Sequence, residues 1–114
     1  MKPLDHAHRS VSRYGGTIED YMDIHEWLDQ TKGAHPDMRH RAMLHNSMGP
    51  FIATEVFGRT IEVAGRPVDV RQICEDHIIE DLGRIPSLTA ILNLIPEEHM
   101  GFFAHKRVRS RNYD

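Results

Sequence analysis

The chain has 114 residues, 39% of them hydrophobic and 27% charged, with a formal net charge of -3 when its nine histidines are neutral. These values exclude an extended disordered chain and a second large domain, and they give no global attraction toward nucleic acid or acidic membranes. The single cysteine, Cys74, excludes an internal disulfide framework and a cysteine-based zinc site, which fits a reducing cytoplasm.

The pattern predicts a mainly α single domain over residues 1–114 with a small β-hairpin near residues 60–69. MKPLDHAHRS lacks the apolar stretch of a secretory leader, and no run nears the roughly 20 apolar residues that span a bilayer. Residues 1–16, ending in Tyr14-Gly15-Gly16, read as an extended lead-in. His6 and His8 form an H-A-H pair there, set aside because a flexible end holds metal poorly.

TIEDYMDIHEWLDQTKG then reads as a helix. Thr17 and Asp20 form a capping-box-like start, Gly33 is the stop, and Ile18, Tyr21, Met22, His25 and Leu28 share the buried stripe. A second helix is expected from Pro36-Asp37 through DMRHRAMLHNSM, kinked or split at Gly49-Pro50 and closing at Gly58. TIEVAGRPVDV is the hairpin, turning at Ala64-Gly65 with Pro67 on an edge. Asp69 and Gln72 open the next helix, VRQICEDHIIEDL, which ends at Gly83. Ser87 caps a short helix, LTAILNLI, and residues 97–114 read as a basic, mobile tail carrying Lys106, Arg107, Arg109 and Arg111. That tail lacks interleaved aromatics, so nucleic acid is not an expected partner.

The polar residues on these helices carry the functional reading. On an α-helix His40 and His45 stand about 140° apart, so they have separate roles. His45 falls on the apolar stripe with Met38, Ala42, Met48, Ile52 and Val56, with Arg41 one turn before it, whereas His40 points toward water. His77, Glu80 and Asp81, at i, i+3 and i+4, place one imidazole and two carboxylates on one face. Imidazoles and carboxylates facing inward from neighbouring helices build the metal sites of helical bundles. The candidate ligands are His25, His45, His77, Glu80 and Asp81, with Glu55 a further contributor, and the donor types suit zinc, manganese, iron or nickel. The competing account is a salt-bridge network in which Arg41 or Arg84 pairs with Glu80 or Asp81 and His77 bridges.

Lys32, Arg39, His40 and Arg41 gather near a helix start and form a candidate anion site for a phosphorylated small molecule. With a metal ion, Glu80 or Asp81 would act as general base in a metal-assisted hydrolase. The alternative is a non-catalytic accessory protein that binds a nucleotide-like ligand or a protein partner, with a homo-oligomer enlarging its surface. Cys74 reads as buried filler.

The blocks GGTIEDYMDIHEWLD, MRHRAMLH, ATEVFG and VDVRQICEDHIIEDLGRIPSL, spanning roughly residues 6–95, resemble a family of small bacterial and bacteriophage proteins of unknown function. The resemblance implies that this block is a complete domain, with the basic tail outside it. A weaker similarity is to HD-type metal phosphohydrolases, with His25 matching the first ligand and Asp76 or Asp81 the last. The chain departs from that pattern in having no His-Asp dipeptide, His40 being followed by Arg41.

Overall fold

A computed structural model describes residues 1–104. The fold is mainly helical, with one small antiparallel hairpin, as the hydrophobic periodicity predicts. Helix α1 runs Pro3–Tyr14, α2 Ile18–Asp29, α3 Met48–Phe57, α4 Val70–Leu82 and α5 Leu88–Leu92; strands β1 (Thr60–Val63) and β2 (Arg66–Asp69) separate α3 from α4. Short 3-10 helices cover Gln30–Gly33, Met38–Ala42 and Glu97–Phe103. No helix among the described residues is long and apolar enough to cross a membrane.

The N-terminal segment is a correction to the expected lead-in, since residues 3–14 are helical. Pro3 occupies the first turn, where its missing N–H costs nothing, and Gly15 closes the helix at φ 82° with its N–H on the Val11 carbonyl. The buried residues of α1 are His6, Ala7 and Ser10, so polar groups share its docking face with Ala7, Val11 and Tyr14. Gly16, at φ 79°, then turns the chain so closely that an added Cβ would lie 2.3 Å from Val63 Cγ1.

The expected caps are present elsewhere. The Thr17 N–H donates to Asp20 Oδ2 at 2.7 Å, Asp69 Oδ1 accepts from Gln72 N–H at 3.1 Å, and Ser87 Oγ accepts from Ala90 N–H at 3.0 Å. Gly83 ends α4 in the left-handed conformation. The hairpin pairs Thr60 with Asp69 and Val63 with Arg66 around Ala64 and Gly65, both at positive φ, as a two-residue turn of matching twist requires.

The second expected helix is the other correction. Residues 38–42 are a 3-10 turn followed by irregular chain, and Gly49-Pro50 lies in the first turn of α3, so no long helix exists there to be kinked. Asn46, fully buried, donates from Nδ2 to the Ala42 carbonyl at 2.7 Å and accepts from Met48 N–H at 2.8 Å, replacing helical backbone bonds. Met38 and Val56 are exposed, so the expected apolar stripe is not continuous.

Helix α1 packs on α2, α3 packs on α4, and α4 also touches α1 and α2. The apolar core holds Tyr21, Ile24, Leu28, Val63, Val70 and Ile73. Beside it, where α1, α2 and α4 converge, lies a second interior made of imidazoles and carboxylates. Residues 105–114, including the expected mobile basic tail, lie outside the described residues, and Glu97–Phe103 is a 3-10 helix.

Candidate metal centre

Helix α4 contributes His77 and Asp81, one turn apart on the face turned toward α1 and α2. Helix α2 ends on Asp29, one turn after His25. His45 comes from the irregular segment whose course Asn46 holds, with its own N–H on the Arg41 carbonyl at 2.9 Å. The positioning is tight at this point, since a Cβ on Gly49 would lie 1.9 Å from the Leu44 carbonyl oxygen.

One ligand atom from each of Asp29, His45, His77 and Asp81 falls within 4.8 Å of the other three. His45 Nε2 is 2.9 Å from Asp81 Oδ2 and 3.6 Å from Asp29 Oδ1, and His77 Nε2 is 3.2 Å from Asp29 Oδ1 and 3.3 Å from Asp81 Oδ2. Four ligands about 2.0–2.2 Å from a tetrahedral ion stand about 3.3–3.6 Å from one another, so this spacing suits a first-row divalent metal. The side chains of His45 and His77 are 0% exposed, Asp81 1% and Asp29 7%. Asp29 Oδ2 and His45 Nδ1 are buried without a hydrogen-bond partner among the described residues.

A second layer surrounds these four. His25 Nδ1 lies 2.8 Å from His77 Nδ1, and His25 Nε2 lies 2.8 Å from Ser10 Oγ. The His6 ring stacks on His77 with centroids 3.6 Å apart, its Nε2 3.2 Å from Asp81 Oδ1 and its Nδ1 2.6 Å from Glu80 Oε1. Arg13 pairs with Glu80, Arg41 Nη2 stands 3.7 Å from Asp81 Oδ1, and the Met1 amino group stands 3.0 Å from the same oxygen.

These surroundings set the protonation states. Burial, with the neighbouring His77 and His6, pushes the His25 pKa down to about 3, so this imidazole stays neutral. Burial also acts to lower His77, but hydrogen bonds to Asp29 and Asp81 outweigh it and leave its pKa raised. For Asp81 burial favours the acid, yet hydrogen bonds from His45, His6 and His77 hold it far below the carboxylate range. Asp29 is lowered in the same way, its burial outweighed by the His77 hydrogen bond and the charges of His77, His45 and Lys32.

The structure therefore gathers His45, His77 and Asp81 of the sequence candidates. His25 stands behind His77 instead of beside it, and Glu80 turns to His6 and Arg13 on α1. Glu55 lies on α3 along a separate cleft with Phe51, Arg59 and Arg71. The expected anion site does not assemble. Arg39 is exposed and holds Asp37 through Nε and Nη2, Lys32 is exposed, and His40 is buried with Nδ1 2.8 Å from Thr31 Oγ1. His40 thus faces inward, against the helical-wheel expectation, because residues 38–42 are not α-helical. Asp76 accepts from Tyr14, away from the centre, and Arg84 is exposed.

Asp29 escaped the sequence reading, and His6, set aside there as part of a flexible H-A-H pair, belongs to the surround of this site. A signal for Asp29 exists: HEWLD and HIIED each place an aspartate one helical turn after a histidine, at 25/29 and 77/81. For His6 the signal is weaker, the four-residue spacing of His6 and Ser10 behind a helix-opening Pro3.

A small helical fold around a buried two-histidine, two-aspartate cluster is the class that this geometry defines. Residues 1–100 match the family described as a domain of unknown function (DUF6915), and the chain belongs to that family. No curated protein and no solved structure matches the chain.

Proposed function

We propose that the protein binds one divalent transition-metal ion, zinc, manganese, iron or nickel, through Asp29, His45, His77 and Asp81. The observation that carries this reading is the convergence of four buried donor atoms at the spacing of a coordination shell, with Asp29 Oδ2 left unpartnered among the described residues. Two imidazole nitrogens and two carboxylate oxygens are a mixed donor set that first-row divalent ions accept.

The role best supported is holding the ion, which ties together α2, α4 and the segment before α3. A metal-assisted hydrolase of a phosphorylated small molecule needs an open coordination position and a route for substrate. Here four side chains, none more than 7% exposed, enclose the centre. Glu80 is engaged by Arg13 and His6, and Asp81 is itself a donor, so neither stands free as a general base. Elemental analysis of the untagged protein by plasma mass spectrometry, with thermal melts before and after a chelator, tests the proposal. Near-stoichiometric metal and a lower melting temperature after chelation are expected. No metal and an unchanged melt leave only the ionic network.

The non-catalytic alternative, a protein that contacts another protein, draws support from the C-terminal end of the described chain. Leu92, Leu94, Met100, Phe102 and Phe103 there are 52–76% exposed. A second copy of the chain is the partner we read for this surface. Sedimentation of the wild type against Leu94→Asp tests it, self-association being expected in the wild type and lost in the variant.

A further inference from the structure

Behind His77 runs a hydrogen-bond chain that the four metal-binding side chains do not themselves require. Ser10 Oγ lies 3.2 Å from the His6 carbonyl, one turn back on α1, and donates to it. The same oxygen is 2.8 Å from His25 Nε2, and His25 Nδ1 is 2.8 Å from His77 Nδ1. Ser10 is 1% exposed, and His25 and His77 are 0% exposed, so water does not complete these bonds.

The proton count gives the chain a direction. A hydroxyl has one proton, and with that proton on the His6 carbonyl, Ser10 Oγ accepts from His25. His25 Nε2 therefore carries the N–H. A neutral imidazole has only one, so His25 Nδ1 accepts and the facing His77 Nδ1 donates. His77 Nε2 is left with a lone pair 3.2 Å from Asp29 Oδ1 and 3.3 Å from Asp81 Oδ2, two atoms that only accept. A lone pair facing two carboxylates is stable when a cation sits between them.

We infer that Ser10 and His25 are positioning residues that hold His77 as its Nδ1–H tautomer, presenting the Nε2 lone pair to the metal ion bound by Asp29 and Asp81. The inference rests on the metal-binding reading above. Metal-bound histidines commonly donate their second N–H to a carboxylate or carbonyl, which fixes ring and tautomer. Here a neutral imidazole takes that place, adding no third negative charge to a buried site that already holds two aspartates. The reverse polarity, with Ser10 donating to His25 and His25 to His77, would put a proton on His77 Nε2 and block the donor.

The test uses the full chain and zinc as the probe. Affinity is read by competition with a chromophoric chelator, folding is checked by circular dichroism, and nitrogen-15 spectra of histidine-labelled protein report the tautomer. His25→Phe removes the acceptor and is expected to weaken zinc binding about 10–100-fold. His25→Gln restores an acceptor oxygen and part of the affinity, and Ser10→Ala, a milder change, shifts it in the same direction as His25→Phe. The zinc-loaded wild type is expected to carry its His77 proton on Nδ1. A proton on Nε2, with zinc on Nδ1, overturns the inference, as does unchanged zinc affinity in both His25→Phe and Ser10→Ala. A wild type that binds no zinc, manganese, iron or nickel overturns the metal reading itself and takes this inference with it.

Discussion

Replacing Asp81 by Asn keeps the size of the side chain and removes its charge, at the point where most of the polar interior meets. Oδ2 lies 2.9 Å from His45 Nε2 and 3.3 Å from His77 Nε2, and Oδ1 lies 3.2 Å from His6 Nε2 and 3.7 Å from Arg41 Nη2. With the carboxylate 1% exposed, water cannot replace it. Removing one partner of a buried ionic cluster costs about 3–5 kcal/mol, since the remaining charges stay buried without compensation. In a domain near this size each kcal/mol moves the melting temperature by about 4–8 °C, so the metal-free variant should melt at least about 12 °C lower. The wild type at a metal concentration of 100 Kd should gain about 2.7 kcal/mol over its metal-free form, and Asp81→Asn should gain little. Urea unfolding with and without zinc measures both terms. A metal-free loss below about 1 kcal/mol would show that Asp81 does not anchor this cluster, and retained stabilisation by zinc would remove it from the ligand set.

The remaining predictions concern pH, the thiol and a glycine. The folded pKa of His25, about 3, lies below the ordinary value of about 6.5, so the stability it contributes is present above about pH 6.5 and lost as pH falls toward 3. His77 has the opposite sign, its contribution being full below about pH 6.5 and lost as pH rises through its raised value. Asp29 and Asp81, both lowered, contribute above about pH 3.9 and lose that contribution on further acidification. Metal-free stability should therefore decline below about pH 6.5, and His25→Gln should flatten the decline down to about pH 4 in urea titrations at stepped pH; an unchanged slope counts against the buried neutral imidazole. Burial pushes the Cys74 thiol up to about 12, so a disulfide reagent should label it only at the rate of unfolding. Gly49→Ala places a Cβ 1.9 Å from the Leu44 carbonyl oxygen and should cost about 1–3 kcal/mol or more, whereas Gly33→Ala meets open space and should stay within about 0.5 kcal/mol.

What was legible in the sequence was whatever depended on local signals. Helices α2 and α4 show their ends through Thr17 with Asp20, Asp69 with Gln72, and Gly83, and the hairpin shows its turn at Ala64-Gly65. Helix α1 was hard to read, because its Leu4, Ala7, Val11 and Tyr14 stripe is short and is interleaved on the buried side with His6 and Ser10. Beside the packing of Ala7, Val11 and Tyr14 on the core, its docking relies on polar partners on α2 and α4, which no local window contains. Residues 36–48 misled for a different reason. Their helical composition is overridden by the Asn46 side chain, which bonds the backbone on both sides. His45 does face inward, but Asn46 and the close approach of Gly49 to Leu44 aim it, not a helical stripe. The four-donor centre was half legible: the α4 motif was visible, and its echo at His25 and Asp29 acquires meaning only when α2 and α4 lie side by side.

The two H-x-x-x-D turns are interleaved in space. His77 reaches the aspartate of the other turn, Asp29, at 3.2 Å and its own, Asp81, at 3.3 Å, while His25 backs onto His77. In the metal-free state, below its raised pKa, His77 carries a proton on Nε2 as well as on Nδ1, since Nε2 faces carboxylate oxygens that can only accept. A divalent ion supplies positive charge to the same carboxylates and needs His77 Nε2 bare, so metal binding must displace that extra proton. His77, its pKa raised, carries the extra proton below its folded value and loses it above, so release to solvent should be larger at pH 6 and fall as pH rises through that value. Calorimetric titration with zinc in buffers of different ionisation enthalpy reads this directly. A binding enthalpy that shifts strongly with buffer at pH 6 and progressively less as pH rises is the expected pattern. Buffer-independent enthalpies from pH 6 upward would mean that His77 holds no extra proton to release, which is incompatible with its raised pKa.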